Sequence, residues 1–301
     1  FKGRFLLSDT NGTIYCVERG ISQEKKVFTM KSPNTIVALS PRKDHISTFL
    51  GYHWSKHNKY HISVIDWNKN QRRQYGQFSV KPVKILSTTK DEFYVLLEDG
   101  QLSFYDCRIC NQVGKFTPKS YGKFDSVITP TALTTWNECS ALGLGFSEGI
   151  VDIIDPRMMM VVKSVMTQPV NNLIPVYHNS CNFMVSSHDR ITLYDAVIGE
   201  PELTLMIDSP YISSYDGNAV VAGVNDVYHI DCEYFNRSSI LGDFGKKENL
   251  GLGENTYYEI NPRASGIGSL HKHNARITCL ERLQNLFLSG DENGFVHLWS
   301  L

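Results

Sequence analysis

An all-β fold of repeated four-stranded antiparallel units, a β-propeller, is what this sequence predicts, on three observations. Short apolar runs alternate with Asn-, Asp- and Gly-bearing turns along all 301 residues. Within them one hairpin recurs, its turn residue six positions before a closing polar residue. The hairpin returns about every 36 to 49 residues, the period of a four-stranded blade, with one longer gap near the end.

The hairpins follow one another in order. Gly12 precedes Glu18, Gly100 precedes Asp106, Gly149 precedes Asp155, Asp189 precedes Asp195, Asn225 precedes Asp231 and Gly294 precedes Ser300. Ile65-Asp66-Trp67 closes a further copy after a longer turn near residues 55–59. Turn residues that tolerate positive φ, flanked by β-rich runs, signal hairpins. An inner strand is expected before the hairpin at 35–39, 83–86, 132–135, 170–175, 211–214 and 276–280. An outer strand is expected after it at 26–29, 73–78, 112–116, 160–165 and 202–206. The count gives a single domain over 1–301 with seven blades, the first and last incomplete. Residues 1–3 leave no room for both missing strands, so the chain is expected to be the C-terminal part of a longer protein. Residues 242–270, with six glycines and Lys246-Lys247-Glu248, read as a loop between two blades, either a flexible insertion or a partner-binding segment.

Composition narrows the function. The hydrophobic fraction of 42% can fill a core. A net charge of −1 argues against general nucleic-acid binding, which needs a basic excess. No apolar run approaches the roughly 18 residues of a membrane span, so direct membrane insertion is not expected. Seven scattered cysteines suit a reducing, cytoplasmic setting better than a disulfide framework.

The last unit, Lys272-His273-Asn274-Ala275-Arg276-Ile277-Thr278-Cys279-Leu280 followed by Ser289-Gly290 and Phe295 to Ser300, resembles the WD-repeat family. The resemblance implies a hydrogen-bonded set in which His273, Ser289 and Trp299 match, with Asn293 where an Asp usually stands. It also implies structural roles for the closing Asp66, Asp106, Asp155, Asp195 and Asp231. A fainter resemblance, carried by residues 145–155, 186–189 and 208–223, is to the C-terminal propeller of WD-repeat BEACH-domain proteins of endosomes. It implies phosphatidylinositol 3-phosphate regulation and recruitment to endosomal membranes through partners. A regulatory propeller of the class III phosphoinositide 3-kinase type is the competing reading.

A rigid frame with variable loops suits a non-catalytic scaffold whose partners are other proteins. The second-to-third strand turns would present Trp54, Glu98, Glu148, His188, Asn225 and Glu292, with Trp54 the best anchor. No cofactor or metal is expected. The rival, a propeller enzyme, needs titratable groups on inner strands that offer mainly Ile36, Val37, Ile85, Leu133, Leu173, Ile212 and Ile277. Gly145-Phe146-Ser147-Glu148-Gly149 has nucleophile-elbow spacing, but a strand rather than a helix should follow. Cys107 and Cys110 form a lone C-x-x-C with no second pair for zinc. His53, His57 and His61 read as a solvated loop, and Met158-Met159-Met160 as either interface or core. Arg72-Arg73 lacks the flanking residues of a phosphoinositide-binding propeller.

Overall fold

The computed structural model describes residues 4–8, 13–18, 25–29, 34–41, 47–54, 58–66, 69, 71–88, 91–109, 111–117, 128–136, 141–176, 182–208, 211–215, 218–224, 226–230, 257–259, 267–283 and 286–300. Among them there is no helix. The strands form seven sheets. The first contains β1 (Arg4–Ser8), β2 (Thr13–Glu18) and β3 (Lys25–Thr29). The second runs β4 (Asn34–Pro41), β5 (Ser47–Trp54), β6 (Lys59–Asp66), β7 (Gln71–Phe78), and the third β8 (Pro82–Ser87), β9 (Glu92–Leu97), β10 (Leu102–Asp106), β11 (Asn111–Phe116). The fourth runs β12 (Pro130–Trp136), β13 (Ala141–Phe146), β14 (Ile150–Asp155), β15 (Met160–Met166). In the fifth are β16 (Asn172–Pro175), β17 (Asn182–Ser186), β18 (Arg190–Asp195), β19 (Pro201–Met206) and, last in order, β23 (Tyr257–Glu259). The sixth runs β20 (Tyr211–Tyr215), β21 (Asn218–Ala222), β22 (Asp226–Ile230), β24 (Ile267–Lys272), and the seventh β25 (Ile277–Leu283), β26 (Leu286–Asp291), β27 (Val296–Ser300). Among the described residues the first and last sheets have three strands each. The chain forms two compact units, Phe1–Leu133 with Asp155–Met160, and Thr134–Ile154 with Val161–Leu301.

One hairpin design recurs. Leu97, Phe146 and Asp291 each precede a three-residue loop whose third residue is glycine, and the glycine N–H returns to the carbonyl of that preceding residue. Gly100, Gly149 and Gly294 have φ of 83°, 84° and 82°. Only glycine enters that region without penalty, which is why it holds this place. The longer turn expected near 55–59 is real, since Trp54 pairs with Lys59.

Burial peaks at the second strand, with the first strands β8, β12 and β16 only partly buried. The second strands β9, β13 and β17 are almost wholly buried, while the outer strands β7 and β15 are mostly exposed. A strand covered on both faces needs a continuous apolar run, and Phe93-Tyr94-Val95-Leu96-Leu97 supplies one. An aromatic pair recurs across the second and third strands. Phe93 stacks on Tyr105 at 5.0 Å and Phe183 on Tyr194 at 5.4 Å. In the first unit Ile62, Val64, Ile85, Phe93, Val95 and Tyr105 share one core, and in the second Val227, Ile277, Leu280 and Phe287 share another. A Cβ at Gly143 would lie 2.3 Å from Trp136 Cζ3, so that strand position admits no side chain.

Residues 242–270, expected as a loop, include strand β23 and the start of strand β24. β24 begins at Ile267 and is the outer strand of the sixth sheet, paired with β22 from Ile230↔Ile267 to Asp226↔Lys272. β23 leaves that sheet and pairs in parallel with β19. The period broke in the sequence because the excursion separates β24 from its own hairpin.

Candidate functional site

The closing aspartates stand where the third strand turns into the fourth. Asp66 Oδ1 accepts the Lys69 N–H at 3.1 Å, Asp106 Oδ1 that of Arg108 at 2.8 Å, and Asp155 Oδ1 that of Arg157 at 2.8 Å. Asp195 Oδ1 accepts from both Val197 and Ile198. A carboxylate that caps its own turn in this way substitutes for a missing backbone acceptor. Arg108 also folds back onto Asp106, with Nη2 2.6 Å from Oδ2, and Arg157 onto Asp155 at 3.1 Å. The side-chain and backbone bonds from these arginines hold both carboxyls below the usual carboxylate range. Asp231 lies outside the described residues.

In the seventh sheet, His273 is buried beside Ser289 and Asp291. His273 Nε2 is 2.7 Å from Ser289 Oγ, and Nδ1 is 3.2 Å from Asp291 Oδ2. An ionised carboxylate only accepts, so Nδ1 carries the proton and donates to Asp291. The other oxygen, Asp291 Oδ1, accepts the N–H groups of Asn293 and Phe295 at 3.0 Å each. Burial works against the charge on Asp291, but the His273 bond and these two amides outweigh it and lower its pKa. The acid of the set is therefore Asp291, two residues before Asn293, where the family resemblance places it. Asn293 lies in the exposed loop, and its N–H is what the displaced carboxylate binds. Trp299 pairs with Phe287 in the strand ladder, and its side chain lies outside the described residues.

The second-to-third strand turns of the second unit are fastened to segments that lead into the first strand of a sheet. Thr167 donates to Gly149 O and Val170 to Phe146 O. Ile207 donates to Asp189 O, Ile277 to Val224 O, and Glu292 to Arg276 O. The turns after β13, β17 and β26 are also held across their own hairpins. His188, Val224, Glu292 and Phe295 are exposed there, Phe295 at 65%. Glu148 is only half-buried and accepts the Ser147 hydroxyl at 2.8 Å. Asp189 pairs with Arg190 at 2.7 Å, and the Arg190 hydrogen bond holds its carboxyl below the usual range. In the first unit Glu98 is exposed and its N–H donates to Lys81 O. Asn225 and the Trp54 side chain lie outside the described residues. Sequence reasoning missed Val224 and Phe295, because single apolar residues in turns carry no pattern.

Ser147 lies in a three-residue turn with strand β14 after it, so the elbow geometry is absent. Cys107 is buried in the turn after β10, and Cys110 lies outside the described residues. The histidine cluster departs from the solvated-loop expectation. β6 starts at Lys59, which turns His61 inward, 2% exposed and stacked on Tyr52 at 5.4 Å. His53 Nε2 is 3.1 Å from Asn58 Oδ1, and His57 lies outside the described residues. The methionines divide. Met158 and Met160 are exposed, whereas Met159, at φ 49°, packs on Gly114.

No known protein family and no curated protein matches this sequence. Among solved structures 1491 chains match, a breadth that speaks for a widely shared fold rather than one activity. One is a chain of the crystal structure of the mitotic checkpoint complex. It aligns over 99% of this chain and 90% of its own length, with a TM-score of 0.68 and 10% identity. Sheet order, hairpin design and this likeness define an all-β, WD-repeat-type β-propeller.

Proposed function

We propose that this chain is a non-catalytic scaffold that docks other proteins on the second-to-third strand turns of its second unit. One observation carries the reading: these turns are fixed by backbone bonds on two sides while His188, Glu292 and Phe295 remain exposed. Side chains held in place before contact cost little ordering on binding, and an exposed aromatic residue is a natural anchor. The solved chain with the same fold belongs to a multi-protein complex, which agrees with protein partners.

The finer reading rests on the resemblance to WD-repeat BEACH-domain proteins. It places the chain in the cytoplasm, recruited to endosomes through partners and acting on phosphatidylinositol 3-phosphate levels.

The test compares proximity labelling by the full-length protein with that of a variant carrying His188→Ala, Glu292→Lys and Phe295→Ala. Loss of specific partners with unchanged melting supports the reading. An unchanged partner set overturns the assignment of this surface. Imaging against a phosphatidylinositol 3-phosphate probe tests the endosomal part, which fails if the protein never coincides with the probe.

A further inference from the structure

Among the described residues, the outer strands of these sheets have no further strand beside them, except in the fifth sheet. There β23 joins β19 through Thr204↔Tyr257, Leu205↔Tyr258 and Met206↔Glu259. Three features set this pairing apart. It is parallel, whereas all other described pairings are antiparallel. It is three residues long, against six for β19 itself. It is also supplied by a segment belonging to another sheet: the chain has finished β22, and returns to complete the sixth sheet with β24 only after visiting β19.

The fifth sheet does not need β23, because β16 to β19 already make the four-stranded unit seen elsewhere. The sixth sheet does not need it either, since β22 and β24 pair directly. What β23 does is occupy an edge. Open strand edges are templates for another strand, and extended peptides bind proteins in this way through main-chain hydrogen bonds. A pairing this short, within a long connection, is one a competing strand can replace.

We propose that the outer edge of β19 is a docking site for an extended peptide running parallel to it, and that residues 257–259 are its resident occupant. The partner's chemistry is that of the occupant: a β-forming segment with aromatic and β-branched residues, of which Thr256-Tyr257-Tyr258-Glu259-Ile260 is the in-chain example. Access then requires displacement of β23, so residues 257–259 act as a built-in competitor. This inference is independent of the turn-surface reading, whose variant leaves β19 and β23 untouched.

The experiment uses a fluorescein-labelled peptide of residues 254–262 and the full chain, unaltered or with Tyr258→Pro. Proline removes a backbone donor and fixes φ, so it evicts β23 without shortening the connection. Fluorescence anisotropy is expected to show at least tenfold tighter binding to the variant, and no binding of the same peptide carrying that proline. Hydrogen exchange is expected to show that the amides of 203–206 facing away from β18 lose protection in the variant and regain it with peptide. A second variant, with 252–264 replaced by Gly and Ser at equal length, should behave alike and guards against misfolding of the first. Equal peptide affinity for unaltered and altered chains, or unchanged exchange at 203–206, overturns the proposal.

Discussion

At the scale of single residues, Asp291 shows how a backbone can keep a hydrogen-bonded set whose sequence signature has changed. Its carboxylate serves the ring of His273 and two turn amides together. Removing the ring by His273→Ala leaves buried Ser289 and Asp291 short of a partner, and should cost about 2 to 3 kcal/mol in chemical denaturation. The carboxylate also sets a pH dependence. Its pKa is depressed in the folded state, so its contribution is complete above the ordinary carboxylate range and is lost as pH falls through the folded-state value. Acid unfolding of Asp291→Asn should therefore be shallower than that of the unaltered chain below about pH 4, with the two curves parallel at neutral pH. His273 and Ser289 were legible because they stand at repeat positions. The acid was not, because a carboxylate reaches two residues along a turn and sequence alignment does not see that reach.

Among elements, the hairpins were the most legible and the sixth outer strand the least. Gly100, Gly149 and Gly294 announce themselves because a type of loop that demands positive φ admits few other residues. β24 was hidden because its partner β22 lies on the far side of residues 231–266, so neither spacing nor turn chemistry linked them. The glycines can be told apart by their surroundings. A Cβ at Gly294 meets nothing within 4 Å, and Gly294→Ala should cost about 1 to 2 kcal/mol from backbone strain alone. A Cβ at Gly149 would lie 2.5 Å from the backbone oxygen of Thr167, the residue whose N–H donates to Gly149 O. Gly149→Ala should therefore cost roughly twice as much or more, read as a lower denaturation midpoint.

For the molecule as a whole, fold and function separate cleanly. Strand period and hairpin chemistry were enough to predict the propeller, because the repeated unit must solve one packing problem many times. The proposed docking surface was half legible: the turns could be placed from the sequence, but not which of them are braced or which side chains they expose. His188 and Glu292 are exposed, Glu148 is partly engaged by Ser147, and Phe295 was not foreseen. The three glycine-ended loops also carry a consequence for engineering. Glu98-Asp99, Ser147-Glu148 and Glu292-Asn293 fill equivalent slots, each followed by a glycine of the same positive φ. Transplanting Glu292-Asn293 onto the site of Glu98-Asp99 should shift the melting temperature by no more than about 2 °C. Such dipeptides behave as interchangeable cartridges, so new recognition can be written into this scaffold two letters at a time.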